Sequence, residues 1–160
     1  SKYANNTIIV LMGDHGWHLG EKEHWSKNVL WERSAKTPLL IFDPTDGTGK
    51  VSTSLVSLLD VYPTLVEMAN LPDNKALEGK SIYDLVKNPN HEVKEYVLTS
   101  KAKGIHSLRS KTHRYTVYSD GFEELYDHRI DANEWTNIAN NASNKEILNK
   151  FRKELKRILK

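Results

Sequence analysis

Residues 7–12 (Thr, Ile, Ile, Val, Leu, Met) form an unbroken apolar, β-branched run that ends at a polar turn, Gly13-Asp14-His15-Gly16. A short run of this kind, closed by a turn signal, reads as a buried central strand of a parallel sheet. Residues 38–42 (Pro, Leu, Leu, Ile, Phe), closed by Asp43-Pro44, form a second such run. In open α/β sheets, ligands bind outside the carboxyl ends of the strands. Asp14 and His15 fall at that position. A carboxylate and an imidazole there can both reach a cation, and Gly13 and Gly16 let the backbone turn sharply beside it.

The rest of the first half fits the same class. Residues 17–37, between the two runs, are polar and aromatic with weak periodicity, as functional loops are. The segment 46–49 (Asp, Gly, Thr, Gly) reads as a flexible turn. Tyr62, Leu65, Val66 and Ala69 have helical spacing, with Pro63 in the first turn and Asn70 and Pro72 as the stop. Strand, loop, strand, helix is an α/β signature. Two strands are few for such a sheet, so residues 1–90 are expected to be the later part of a larger α/β core.

Residues 91–160 read differently. Short strands are expected at 96–99, 105–109, 114–118 and 124–126, with a hairpin turn at Asp120-Gly121. Ser143 and Glu146 have capping-box spacing. They would open a helix with Ile147, Leu148, Phe151, Leu155, Ile158 and Leu159 on one face. Trp135 is expected to pack that helix onto the sheet. Arg109 and Arg114 flank a β-turn; they could point toward a pocket, but sheet-surface charge is the favoured reading, and His106, His113 and His128 read as surface or structural groups. The second half is thus a small antiparallel sheet subdomain with a terminal helix.

Composition narrows the function. Hydrophobic residues make up 38% and charged residues 28%, a globular balance. No apolar run approaches the roughly 20 residues needed to span a bilayer, so no membrane partner is expected. A net charge of +2 from 23 basic and 21 acidic residues gives no footprint for nucleic acid. The basic cluster from Lys150 to Lys160 reads as a solvated helix face. The chain holds no cysteine, which excludes disulfides, thiolate metal sites and any cysteine-derived nucleophile.

The stretch after Asp14-His15 carries the chemistry. It holds His18, His24, Glu21, Lys22, Glu23 and Lys27, framed by Trp17, Trp25 and Trp31. Cations for an anion and aromatic faces for a ring suit a pocket for an anionic sugar; a solvated loop anchored by its tryptophans is the plainer reading. Gly13-Asp14-His15-Gly16-Trp17-His18-Leu19-Gly20-Glu21-Lys22, then His24-Trp25-Ser26-Lys27 and Leu30-Trp31-Glu32 before residues 37–41, resembles type I sulfatases of the iduronate-2-sulfatase-like group, in the alkaline phosphatase superfamily. Residues 59–65, 77–81 and 124–128 with Asp131, Glu134, Trp135 and Asn137 extend the resemblance over nearly the whole chain.

The resemblance implies roles. Asp14 and His15 would ligate a divalent cation, calcium in the family, although a nitrogen ligand at His15 also suits manganese or zinc. Lys27 would bind sulfate oxygens and stabilise charge on the leaving oxygen. His18 and His24 are candidates for contacts with a sulfated carbohydrate substrate. The family's formylglycine comes from a Cys/Ser-x-Pro-x-Arg motif, which this sequence lacks, so it is expected upstream in an N-terminal part of the same enzyme. On this reading the chain alone is inactive. Export to a periplasm, the cell exterior or a lysosome is typical of such proteins. The alternatives are a phosphodiester or phosphonate monoester hydrolase of the same superfamily, and a non-catalytic carbohydrate-binding remnant.

Overall fold

The computed structural model describes residues 2–46 and 49–160; Gly47 and Thr48, within the expected turn at 46–49, lie outside the described residues. The chain divides into two compact units, residues 1–14 with 38–95 and residues 15–37 with 96–160. Among the described residues, no helix is long and apolar enough to cross a membrane.

In the first unit, β1 (Ile9–Met12) pairs with β4 (Leu39–Phe42). The pairing is antiparallel, Ile9 opposite Phe42 and Met12 opposite Leu39. The expected parallel, buried strand is therefore corrected on both counts. An apolar run reports the desire for burial, not strand direction. Ile9, Leu11, Leu40 and Phe42 alternate onto one face of this ladder, and each is 46–62% exposed.

Order in this unit comes from a polar hub. Ser57 and Asp60 form a capping box at the turn that opens α2 (Val61–Met68). The Asp60 carboxylate, fully buried, accepts from the backbone N–H of Ser57 at 2.8 Å and of Lys80 at 3.0 Å. It also accepts from Lys94 Nζ at 2.6 and 2.7 Å. Thr64 Oγ1 accepts from the Ile82 N–H at 2.9 Å, which ties α2 to the segment leading into α3 (Tyr83–Lys87). Gly79 has no room for a side chain: a Cβ there would lie 1.9 Å from the Leu59 carbonyl oxygen.

In the second unit, a short ladder of β2 (His18–Leu19) and β3 (Trp25–Ser26) precedes α1 (Glu32–Ala35). A four-stranded antiparallel meander follows: β5 (Tyr96–Ala102), β6 (Ile105–Ser110), β7 (His113–Val117) and β8 (Glu123–Asp127). Gly121, at φ 86°, makes the expected β7–β8 turn. The terminal helix α4 (Lys145–Ile158) lays Leu148, Phe151 and Leu155 against Leu108, Tyr115 and Leu125, and all six are buried.

Three expectations fail here. The capping box at 143–146 does not form, because residues 142–144 tighten into a 3-10 turn and Asn144 spends its side chain on the Ile138 carbonyl. Trp135 does not pack the helix: it is 57% exposed, and its neighbour Glu134 is the buried residue. Arg114 is not surface charge; it is 2% exposed, with carboxylates to compensate it.

Candidate functional site

Residues 15–37 are built around close backbone contacts. The Gly16 N–H donates to the Ser34 carbonyl at 2.9 Å. A Cβ on Gly16 would lie 1.9 Å from the Arg33 carbonyl oxygen, so only glycine fits. Next, Gly20 at φ 119° starts a run of left-handed residues that includes Lys22 (57°), Glu23 (56°) and Ser26 (100°). Each non-glycine residue so held costs on the order of 1–2 kcal/mol, which surrounding contacts must outweigh.

At the open side of this loop stand His15 and Lys27. His15 Nδ1 lies 2.7 Å from the Gly16 carbonyl oxygen. A carbonyl only accepts, so Nδ1 carries the proton and Nε2 presents a lone pair. Lys27 Nζ donates to that Nε2 at 2.5 Å. A metal-ligating histidine ordinarily has its second N–H fixed in this way. His15 therefore fits a cation through Nε2, and a bound cation would compete with Lys27 for the same lone pair. Trp17 is half-exposed, its ring 6.0 Å from that of His15. Asp14 is the last residue of the first unit's N-terminal segment and is exposed.

His18 and His24 sit behind this edge. His18 is 1% exposed, and its Nδ1 meets Ser34 Oγ at 3.0 Å. The rings of His18, His24 and Trp31 form an edge-to-face block with centroids 5.3–6.1 Å apart. Burial first, then the neighbouring His24, holds the His18 imidazole below its ordinary pKa. His18 thus has no surface to offer a substrate; its visible work is to hold α1. His24 Nε2 is buried with no hydrogen-bond partner.

Charged residues from the small sheet close the loop from below. Lys22 Nζ donates to Tyr126 Oη at 3.0 Å and to the Glu134 carbonyl, and lies 4.4 Å from the Trp31 ring centroid. Trp31 Nε1 donates to Glu124 Oε2 at 2.9 Å. Arg114 reaches Glu134 Oε1 at 2.8 Å and also Glu32, which Arg109 Nε meets at 3.2 Å. Burial pushes the Glu32 carboxyl up, but the two guanidinium groups outweigh it and leave it below the ordinary value.

Glu32, His128 and Glu134 also bring one ligand-type atom each within 4.8 Å of one another. The two arginines already supply the positive charge, and His128 Nε2 donates to Glu134 Oε1 at 2.7 Å. The group is an ion-pair network, not a cation site. Sequence reasoning named Glu134 and Arg114 but missed that they pair in the interior, because their spacing carries no periodic signal.

Comparison with known proteins places the chain among families and folds. Residues 20–160 match the family "N-sulphoglucosamine sulphohydrolase, C-terminal". A sulfatase of Formosa agariphila is 41% identical over 141 residues, 88% of this chain and 28% of the relative. A 2-O GAG sulfatase structure superposes with a TM-score of 0.85 at 24% identity, covering 97% of this chain and 36% of that one. A phosphonate monoester hydrolase from Silicibacter pomeroyi gives the same TM-score at 20% identity, covering 96% and 34%. These likenesses to solved structures show the fold, and the chain spans about a third or less of each of these proteins. By its match over residues 20–160, the chain belongs to the sulfatases, in the family of N-sulphoglucosamine sulphohydrolase C-terminal regions.

Proposed function

We propose that this chain is the C-terminal region of a sulfuric ester hydrolase acting on a sulfated carbohydrate. The observation that carries the reading is Lys27 Nζ set on His15 Nε2 at 2.5 Å. That contact puts an ammonium beside a ligand-ready imidazole on a glycine-rich turn. Transfer of a sulfuryl group spreads negative charge over the sulfate oxygens and the leaving oxygen, and fixed cations aimed there stabilise it. Lys27 binds a sulfate oxygen and stabilises the leaving oxygen. Asp14 and His15 would hold a divalent cation, calcium by the resemblance, which would supply Lewis-acid charge. His18 and His24 support the loop from within.

The nucleophile, a formylglycine, belongs to an N-terminal part of the same polypeptide or a partner chain. The open face of β1 and β4 supports this. Burying Ile9, Leu11, Leu40 and Phe42 would contribute about 1.5–3 kcal/mol each, so further elements of the enzyme are expected to cover them.

The test is sulfate release by the longer protein from sulfated mono- and disaccharides and aryl sulfates. Lys27→Ala should lower kcat by about 10²–10³-fold, as loss of one preorganised cation or donor does. A full rate in that variant would sink the reading. The phosphonate monoester hydrolase superposition keeps a second reading in play. Faster turnover of an aryl phosphonate than of any sulfate ester would favour it. Glycan binding without any turnover would favour a carbohydrate-binding remnant.

A further inference from the structure

A lysine side chain is long and flexible, so its value as a charge stabiliser depends on how well its backbone is held. Lys27 is exposed and follows three residues in left-handed conformations. The loop that carries it is gripped five residues to either side, at Lys22 and at Glu32, and both grips come from Glu134. The Glu134 carbonyl accepts from Lys22 Nζ. The Glu134 carboxylate accepts, through Oε2 at 2.8 Å, from the Glu32 N–H, the first of α1. Between the two grips, Lys101 Nζ from β5 donates to the Asn28 carbonyl at 2.7 Å.

Glu134 is itself fixed from every side. It is 1% exposed and held at φ 62°. Arg114 Nε at 2.8 Å and His128 Nε2 at 2.7 Å orient its Oε1. Asp131 accepts from the backbone of Trp135 at 3.0 Å and Thr136 at 2.8 Å, and Asn137 links the same turn to Glu123 and Leu125 of β8. We propose that Glu134 is the positioning residue for Lys27, and that the small sheet serves as the platform that sets the lysine against the leaving oxygen. This rests on the role given to Lys27 above.

The experiment uses the longer enzyme and a series of aryl sulfates whose leaving phenols rise in pKa. A displaced Lys27 stabilises the leaving oxygen less, so the loss must grow as the leaving group worsens. Glu134→Gln is expected to lower kcat about 10–100-fold, most for the poorest leaving groups. In a Lys27→Ala background the same change should cost less than about threefold, because both act through one group. Phe151→Leu, in the core of the same sheet, should lower Tm and leave kcat and the leaving-group dependence unchanged. If Glu134→Gln proves unfolded, Lys101→Met, which loosens the loop only at Asn28, should show the same signature at smaller size. An equal loss for all substrates that persists in the Lys27→Ala background would overturn the proposal and leave Glu134 a purely structural residue. A Lys27→Ala enzyme with full rates would instead overturn the role of Lys27 and, with it, the need for a positioning residue.

Discussion

The two units reach order by opposite means. In the second, Phe151, Leu148 and Leu155 of α4 close on Leu108, Tyr115 and Leu125, and the sheet needs nothing else to cover that face. In the first, the most apolar strands of the chain, β1 and β4, leave Ile9, Leu11, Leu40 and Phe42 about half exposed, while the deepest residues are Asp60 and Thr64. Hydrophobicity of a segment is therefore a poor guide to how far the segment is buried here. What decides is whether a partner layer is present, and a two-stranded ladder has none of its own.

The contrast can be broken most forcefully at the centre of each unit. Phe151→Ala should destabilise the second unit by about 3–5 kcal/mol, through lost transfer energy and the cavity left beside Tyr96 and Tyr115. Hydrogen exchange would show the loss in β5–β8 and α4. Asp60→Ala should cost the first unit about 3 kcal/mol, since it leaves the N–H groups of Ser57 and Lys80 and the Lys94 ammonium without their acceptor. Exchange protection should then fall in α2 and α3. Loss spread evenly over both units in either variant would show that they unfold as one, and the comparison would collapse.

A smaller effect sharpens the point about partner layers. Leu11, 62% exposed, should tolerate serine in the 160-residue chain at a cost within about 0.5 kcal/mol. In the longer enzyme proposed above, the same change should cost about 1.5–3 kcal/mol, because the side chain is expected to be buried there. Equal costs in the two settings, read from urea midpoints, would mean that nothing covers this face.

Much of this was legible in the sequence. The four strands and the buried stripe of the terminal helix, apart from Leu159, which lies past the helix end and is 47% exposed, follow from alternation and 3.6-residue spacing, both of which report burial directly. His15 and Lys27 stand as candidates because the turn glycines and the resemblance single them out; the structure adds that they touch. Strand direction at β1 was not legible, since an apolar run carries no sign of its partner's polarity. Nor were Glu134 and Arg114. A charged residue reads as surface by composition, and nothing local announces that Arg114 will meet a carboxylate twenty positions on. Trp135 is expected inside for the same reason, because composition favours burying the tryptophan. The positive φ at Glu134 belongs to a turn that Asp131 closes locally and that Asn137 ties to Leu125 of β8.

The finest distinction between the units is their response to mild acid. His18 and His113 both lie in the second unit, and both are held below the ordinary imidazole value of 6.5. Burial is the main cause at each, reinforced by His24 at His18 and opposed by Asp127 at His113. In the unfolded chain these rings take up protons near 6.5, while in the folded protein they resist. Their stabilising contribution is therefore complete above that pH, declines as pH drops below it, and is gone below the folded values. The carboxylates act in a lower window. Glu32 lies below the ordinary carboxyl range, and hydrogen bonds from Arg129 help hold Asp127 at about 2, so their contributions persist until stronger acid. Urea unfolding followed from pH 7.5 to pH 5 should thus show the second unit weakening while α2 and α3 keep their exchange protection. Replacing both rings, His18→Gln with His113→Gln, should flatten that slope even though it lowers stability at pH 7.5. A wild-type curve already flat across this range would mean that the folded protein accommodates both imidazolium ions, and burial at these two positions would then carry no acid sensitivity.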